Sequence, residues 1–113
     1  MALMLSINVN AQRETISGRV IDNDSGDPLE KATLQLYRIT TRRNNVKDTT
    51  FVGGALSSES GTFSFSDVRS GTYFLKVTYL GYKDYTRNIN KTSSHQALGT
   101  IPLEPNSVEI QEA

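Results

Sequence analysis

Apolar side chains in this chain recur at every second position, the repeat of a half-buried β-strand, and no useful length keeps the three-to-four-residue spacing of an amphipathic helix. From Thr15, Ile16, Gly18 and Val20 share one face and Ser17 and Arg19 the other, which predicts a first strand. The following Asn23-Asp24-Ser25-Gly26-Asp27-Pro28 combines Gly, Pro and side chains that bond their own backbone, so the strand ends in a turn. Leu34 and Leu36 alternate with Thr33, Gln35 and Tyr37 as a second strand. Thr40 to Thr50 holds a single apolar residue and reads as a long exposed loop or a ragged hairpin. Phe51 to Ser57 predicts a strand whose two glycines imply a bulge or a close backbone approach.

Ser58 to Gly61 then makes a tight turn into Thr62 to Ser66, where Phe63 and Phe65 share a face. The clearest strand is Thr72 to Leu80, with Tyr73, Leu75, Val77 and Tyr79 alternating against Phe74, Lys76 and Thr78. Gly81 breaks it. Tyr82 to Ile89 continues as a polar edge strand, protected from stray pairing by Lys83, Asp84 and Arg87. After a polar turn at Asn90 to Ser94, Leu98, Ile101 and Leu103 mark a last strand, and Pro102 confines it to an edge or bulge. Seven short strands at about ten-residue spacing predict an all-β fold, a seven-stranded antiparallel β-sandwich.

The ends depart from this pattern. Met1 to Val9 is apolar and uncharged, and Val9 and Ala11 stand at the small-residue spacing that precedes a signal-peptidase cut. Residues 1–12 are therefore expected to be the remnant of a signal peptide, with an N-terminal strand packed on the domain as the alternative. No run approaches the roughly 18–20 apolar residues of a membrane-spanning helix. The sandwich is expected over residues 13–104, and residues 105–113, which carry Glu109 and Glu112 without a basic residue, read as an acidic linker out of it.

Composition narrows the chemistry. The 113 residues hold 12 basic and 12 acidic side chains, one histidine, no cysteine and no tryptophan. One domain's worth of sequence with zero net charge offers no general attraction to nucleic acid, so no nucleic-acid partner is expected. Disulfides, thiolate nucleophiles, Cys-based metal centres and two-histidine metal motifs are excluded outright. No Ser stands in a Gly-x-Ser-x-Gly elbow, and the lone His95 falls in a polar turn. An enzyme is not expected, nor a cofactor.

Several blocks in order also spell a family pattern: Ile16-Ser17-Gly18-Arg19-Val20-Ile21-Asp22, Gly26-Asp27-Pro28-Leu29-Glu30-Lys31-Ala32, Gly61-Thr62-Phe63-Ser64-Phe65, Val68 to Val77, and Tyr79-Leu80-Gly81-Tyr82. From Thr15 to about Glu104 the chain resembles the carboxypeptidase regulatory-like domains. That resemblance implies a transthyretin-like Greek-key sandwich and carries over no catalytic residue. Asp48 to Ala55 and Leu98-Gly99-Thr100-Ile101-Pro102-Leu103 resemble the version fused ahead of TonB-dependent-receptor-like outer-membrane β-barrels in Bacteroidetes, and Val108 to Glu112 resembles the start of the connection to a plug and barrel. Ser57-Ser58 departs from the Thr-Asp more usual before the turn. By this resemblance the domain is an exported accessory module on the periplasmic face of the outer membrane, serving docking or assembly, its partner another protein or the downstream barrel. A stand-alone or surface-exposed module binding carbohydrate or an adhesion partner is the alternative.

Candidate sites remain few. Arg38, Arg42, Arg43 and Lys47 form a basic loop, read as a possible protein-docking surface with Glu104, Glu109 and Glu112 as its acidic counterweight. Tyr82 and Tyr85 are the aromatics expected to be exposed, whereas Tyr73 and Tyr79 fall on the core face. Asp22 to Asp27 has the look of a calcium loop, but its twelfth position is Thr33 where a bidentate carboxylate is needed, so a plain turn is expected and no metal. Lys76 alternates with Leu75 and Val77 and should point away from the core, against any role as a buried crosslinking lysine.

Overall fold

The computed structural model describes residues 14–106, and the expected signal remnant and most of the acidic tail lie outside them. Seven strands follow one another without a helix among the described residues: β1 (Thr15–Asp22), β2 (Thr33–Thr41), β3 (Lys47–Leu56), β4 (Thr62–Ser66), β5 (Gly71–Thr78), β6 (Tyr85–Lys91) and β7 (His95–Leu103). They form a three-stranded sheet in the order β4-β1-β7 and a four-stranded sheet in the order β3-β2-β5-β6. The core lies between, because the alternation puts one face of each strand inward. Ile16, Val20, Leu34, Leu36, Leu75, Val77 and Ile101 are fully buried, with Phe63, Phe65, Tyr73, Ile89, Leu98 and Leu103 nearly so. Each such side chain contributes about 1.5–3 kcal/mol of transfer free energy.

Of the five strand pairings, β1–β4, β2–β3, β2–β5 and β5–β6 are antiparallel, as the pattern predicts. The fifth differs: β1 and β7 run parallel, from Thr15↔His95 to Asp22↔Leu103. Hydrophobic alternation fixes which face of a strand is buried but carries no information on the direction of a neighbour so far away in sequence. The parallel pair sends the chain in at one end of the sandwich and out at the other. Glu14 and the β2–β3 connection lie at the upstream end. The connections after β1, β5 and β7 lie at the downstream end.

Three local features shape the frame. Gly18 is required because a Cβ there would stand 2.8 Å from the Phe63 ring and 3.0 Å from the Gly99 carbonyl. Gly61 has φ +84°, and a Cβ on it would come within 2.5 Å of the Val20 carbonyl oxygen. The register of β2 on β3 slips between Leu36 and Tyr37, leaving Val52 as the extra residue of a bulge next to the glycine pair.

Two segment boundaries move. The stretch from Thr40 to Thr50 is a hairpin: β2 and β3 pair as far as Thr41↔Lys47, and Asn45 at φ 65° closes a short turn with its N–H donating to the Arg42 carbonyl at 3.0 Å. Tyr82 stands outside β6, in an isolated bridge with Pro105.

Candidate functional site

The basic cluster divides in the fold. Arg42 Nε donates to Asp48 Oδ2 at 2.6 Å across the hairpin, both groups being well exposed, and such a surface pair contributes about 0–1 kcal/mol. Arg43 and Lys47 are exposed beside it. Arg38 is different. It points along the core face of β2, half-buried, with its guanidinium 5.6 Å above the Tyr73 ring and one N–H donating to Tyr73 Oη at 3.3 Å. Tyr73 Oη in turn donates to the Arg69 carbonyl at 2.8 Å. The docking candidate thus reduces to Arg42, Arg43 and Lys47 on the hairpin, while Arg38 seals the upstream end of the core. Of the expected acidic counterweight, Glu104 follows β7 at the downstream end and pairs with Lys83 at 3.3 Å. Glu109 and Glu112 lie outside the described residues.

At that downstream end, Asp22 closes β1. Its Oδ1 accepts the N–H groups of Asp24 and Ser25 at 2.7 and 2.9 Å, and its Oδ2 accepts from Tyr82 Oη at 2.6 Å. The carboxylate is therefore an Asx-turn cap with both oxygens engaged in hydrogen bonds. The Tyr82 hydrogen bond, helped by the backbone donors, holds the Asp22 carboxyl below its ordinary value of 3.8. The same bond, with burial, pushes the Tyr82 hydroxyl up to about 12. Tyr82 is thus committed to Asp22 and to Tyr79, whose ring centroid is 5.4 Å away, and Tyr85 packs half-buried on the core. Neither is a free aromatic platform, which corrects the expectation for both.

The upstream end holds a residue that sequence reading missed. Lys91 is buried to 1% exposure, and its ammonium donates to Glu14 Oε1 at 3.2 Å and to the carbonyls of Ser93 and Ser94 at 2.5 and 3.2 Å. Three donors meet three acceptors, which is what a buried ammonium requires. The signal was present, since Lys91 shares the inward face of β6 with Ile89. Lys76, by contrast, faces outward as expected and approaches Asp84 at 3.9 Å. His95 is exposed with Nδ1 3.0 Å from Thr15 Oγ1, a contact of two strand ends.

The outer face of the four-stranded sheet carries the exposed aromatic surface. Tyr37 packs edge-on to Phe51 at 5.6 Å and tilted to Phe74 at 6.2 Å. Phe51 and Leu56 are 56% and 62% exposed and flank a shallow apolar hollow floored by Gly54, Gln35 and Thr33. The bulge at Val52 brings Phe51 and Leu56 onto one face despite their odd spacing, which is why alternation did not reveal the pair.

Residues 15–104 match the carboxypeptidase regulatory-like domain. Among solved structures, the chain is similar to the group B streptococcus pilus 2b backbone protein, with TM-score 0.61, 16% identity, 83% of this chain and 42% of that one covered. It is also similar to shaft pilin SpaA from Lactobacillus rhamnosus GG, with TM-score 0.59, 16% identity and coverage of 85% and 48%. A third is 3-chlorocatechol 1,2-dioxygenase from Rhodococcus opacus 1CP, at TM-score 0.58, 12% identity and coverage of 82% and 59%. At these identities the likeness is one of fold. The chain spans less than half the length of either pilin structure. No curated protein sequence matches it significantly.

Proposed function

Because the chain belongs to the carboxypeptidase regulatory-like domain family, we propose that it is a non-catalytic accessory sandwich of an exported multi-domain protein, held on the periplasmic face of the outer membrane ahead of a receptor-type β-barrel. The observation that supports this best is the placement of its ends. Glu14 enters at one end of the sandwich and Glu104 to Asn106 leave at the other, so the domain fits in series between a preceding segment and a following one. The Arg42–Lys47 hairpin projects at the upstream end, where a partner protein would meet it.

The test is protease accessibility of the full-length gene product carrying a tag next to this domain. The domain should be protected in intact cells and cleaved once the outer membrane is permeabilised. Cleavage in intact cells would overturn the periplasmic placement and favour the second reading, a surface-exposed binding module. That reading has an observation of its own in the exposed Phe51 and Leu56 beside Tyr37 and Phe74, an apolar surface of the kind that meets partners. Hydrolytic activity that disappears in His95→Ala would overturn the non-catalytic assignment.

A further inference from the structure

We infer that the sandwich is built to carry tension along its long axis, with the β1–β7 pair as the element that resists. This goes beyond the accessory role and rests only on that role's in-series placement, not on the compartment. β1 and β7 are neighbours, parallel, and hold the two ends of the described chain. A pull that draws Glu14 upstream and Glu104 downstream slides β1 backward against β7 moving forward. The seven paired positions from Thr15↔His95 to Asp22↔Leu103 then bear the load together, in shear. Had the strands been antiparallel, both ends of the chain would lie at the same end of the pair. The same pull would then open the ladder one pair at a time.

Fastenings at both ends of β1 point the same way. Upstream, the Glu14 carboxylate is held by buried Lys91 of β6, the Glu14 carbonyl accepts the Val68 N–H at 2.9 Å, and the Thr15 N–H reaches the Ser94 carbonyl at 2.8 Å. Downstream, Asp22 is held by Tyr82, which belongs to the connection between β5 and β6. The strand of the smaller sheet that takes the upstream pull is thus tied to the larger sheet at each end. The departing chain is tied there too: Lys83 N–H donates to the Glu104 carbonyl at 2.8 Å, and Asn106 N–H to the Gly81 carbonyl at 2.9 Å. A load arriving at either end is shared with the four-stranded sheet before it reaches the shear ladder.

Because the chain has no cysteine, pulling handles can be placed at will. Single-molecule force spectroscopy on the full chain would compare handles at the two termini with handles at the N-terminus and at Thr92→Cys, an exposed site at the upstream end just before β7. The second geometry peels β1 from β7. The rupture force should be roughly twofold or more lower in the peeling geometry at the same loading rate, forced unfolding being governed by the barrier crossed along the pulling direction. Lys91→Met should lower the rupture force between the termini, because the upstream fastening of Glu14 is lost. Equal rupture forces in the two geometries would overturn the inference and leave the accessory role standing. Surface exposure in intact cells would overturn the periplasmic role and leave the tension-bearing geometry intact.

Discussion

The hydroxyl of Tyr82, from the connection between β5 and β6, donates at 2.6 Å to the carboxylate of Asp22, the last residue of β1, and so joins the two sheets at the downstream end. The bond has opposite effects on its partners. It lowers the Asp22 carboxyl and raises the Tyr82 hydroxyl, because only the pair of ionised acid and neutral phenol makes it.

Its pH dependence follows from those directions. Asp22 titrates below its ordinary value in the folded chain, so its stabilisation is present above about pH 3.8 and lost as the pH falls through the folded value. Tyr82 is raised from 10.0 to about 12, so its share is complete below 10 and lost as the pH climbs through 12. In urea titrations, the stability difference between the wild type and Tyr82→Phe should be level from about pH 5 to 9 and shrink at both extremes. In an ultraviolet titration of the tyrosines, Asp22→Asn should bring one ionisation down toward 10. An unchanged profile would mean that the bond does not form in solution.

Lys91→Ala should destabilise the chain by about 2–4 kcal/mol, since it leaves the Ser93 carbonyl and the Glu14 carboxylate without their ammonium donor and opens a cavity in the core. Lys91→Met, which keeps the volume, should cost less. Lys76→Ala is the control and should stay within about 0.5 kcal/mol, its head group being exposed beside Asp84. Chemical denaturation resolves all three.

Leu75→Ala should cost about 2–5 kcal/mol, because Leu75 is fully buried between the sheets. Arg42→Ala should stay within about 0.5 kcal/mol, its partner Asp48 being a surface one. Equal midpoints for the two would mean that the inward and outward faces of β5 are exchanged.

Two glycines make a sharp contrast. Gly61→Ala should cost about 2 kcal/mol or more, because a Cβ there would press on the Val20 carbonyl at a positive φ. Gly53→Ala meets nothing within 4 Å and should be neutral or stabilising by a few tenths of a kcal/mol through the unfolded chain. Thermal melts of the pair are sufficient.

Much of this architecture can be read from period-two alternation. Ile16, Val20, Leu34, Leu36, Phe63, Phe65, Tyr73, Leu75 and Val77 all face inward where it puts them, and Gly18 sits where a side chain has no room. What alternation conveys poorly is anything set by a partner distant in sequence. The parallel direction of β7, the engagement of Tyr82 by Asp22, and the burial of Lys91 among Glu14, Ser93 and Ser94 are of that kind. Charge is a poor guide for the same reason, as Arg38 shows by leaving a basic loop to lie over Tyr73. The bulge at Val52 shifts parity within a strand, so the exposed Phe51 and Leu56 escape a scheme that counts in twos.

The parallel pairing of the first strand with the last also sets an order of assembly. Thr15 and His95 meet across 80 residues, so β1 cannot complete its sheet until almost the whole domain has been synthesised. Until β7 arrives, β1 has only β4 beside it in its sheet. A chain made from its N-terminus therefore leaves the β7 side of β1 unpaired until residues 95–103 have been added.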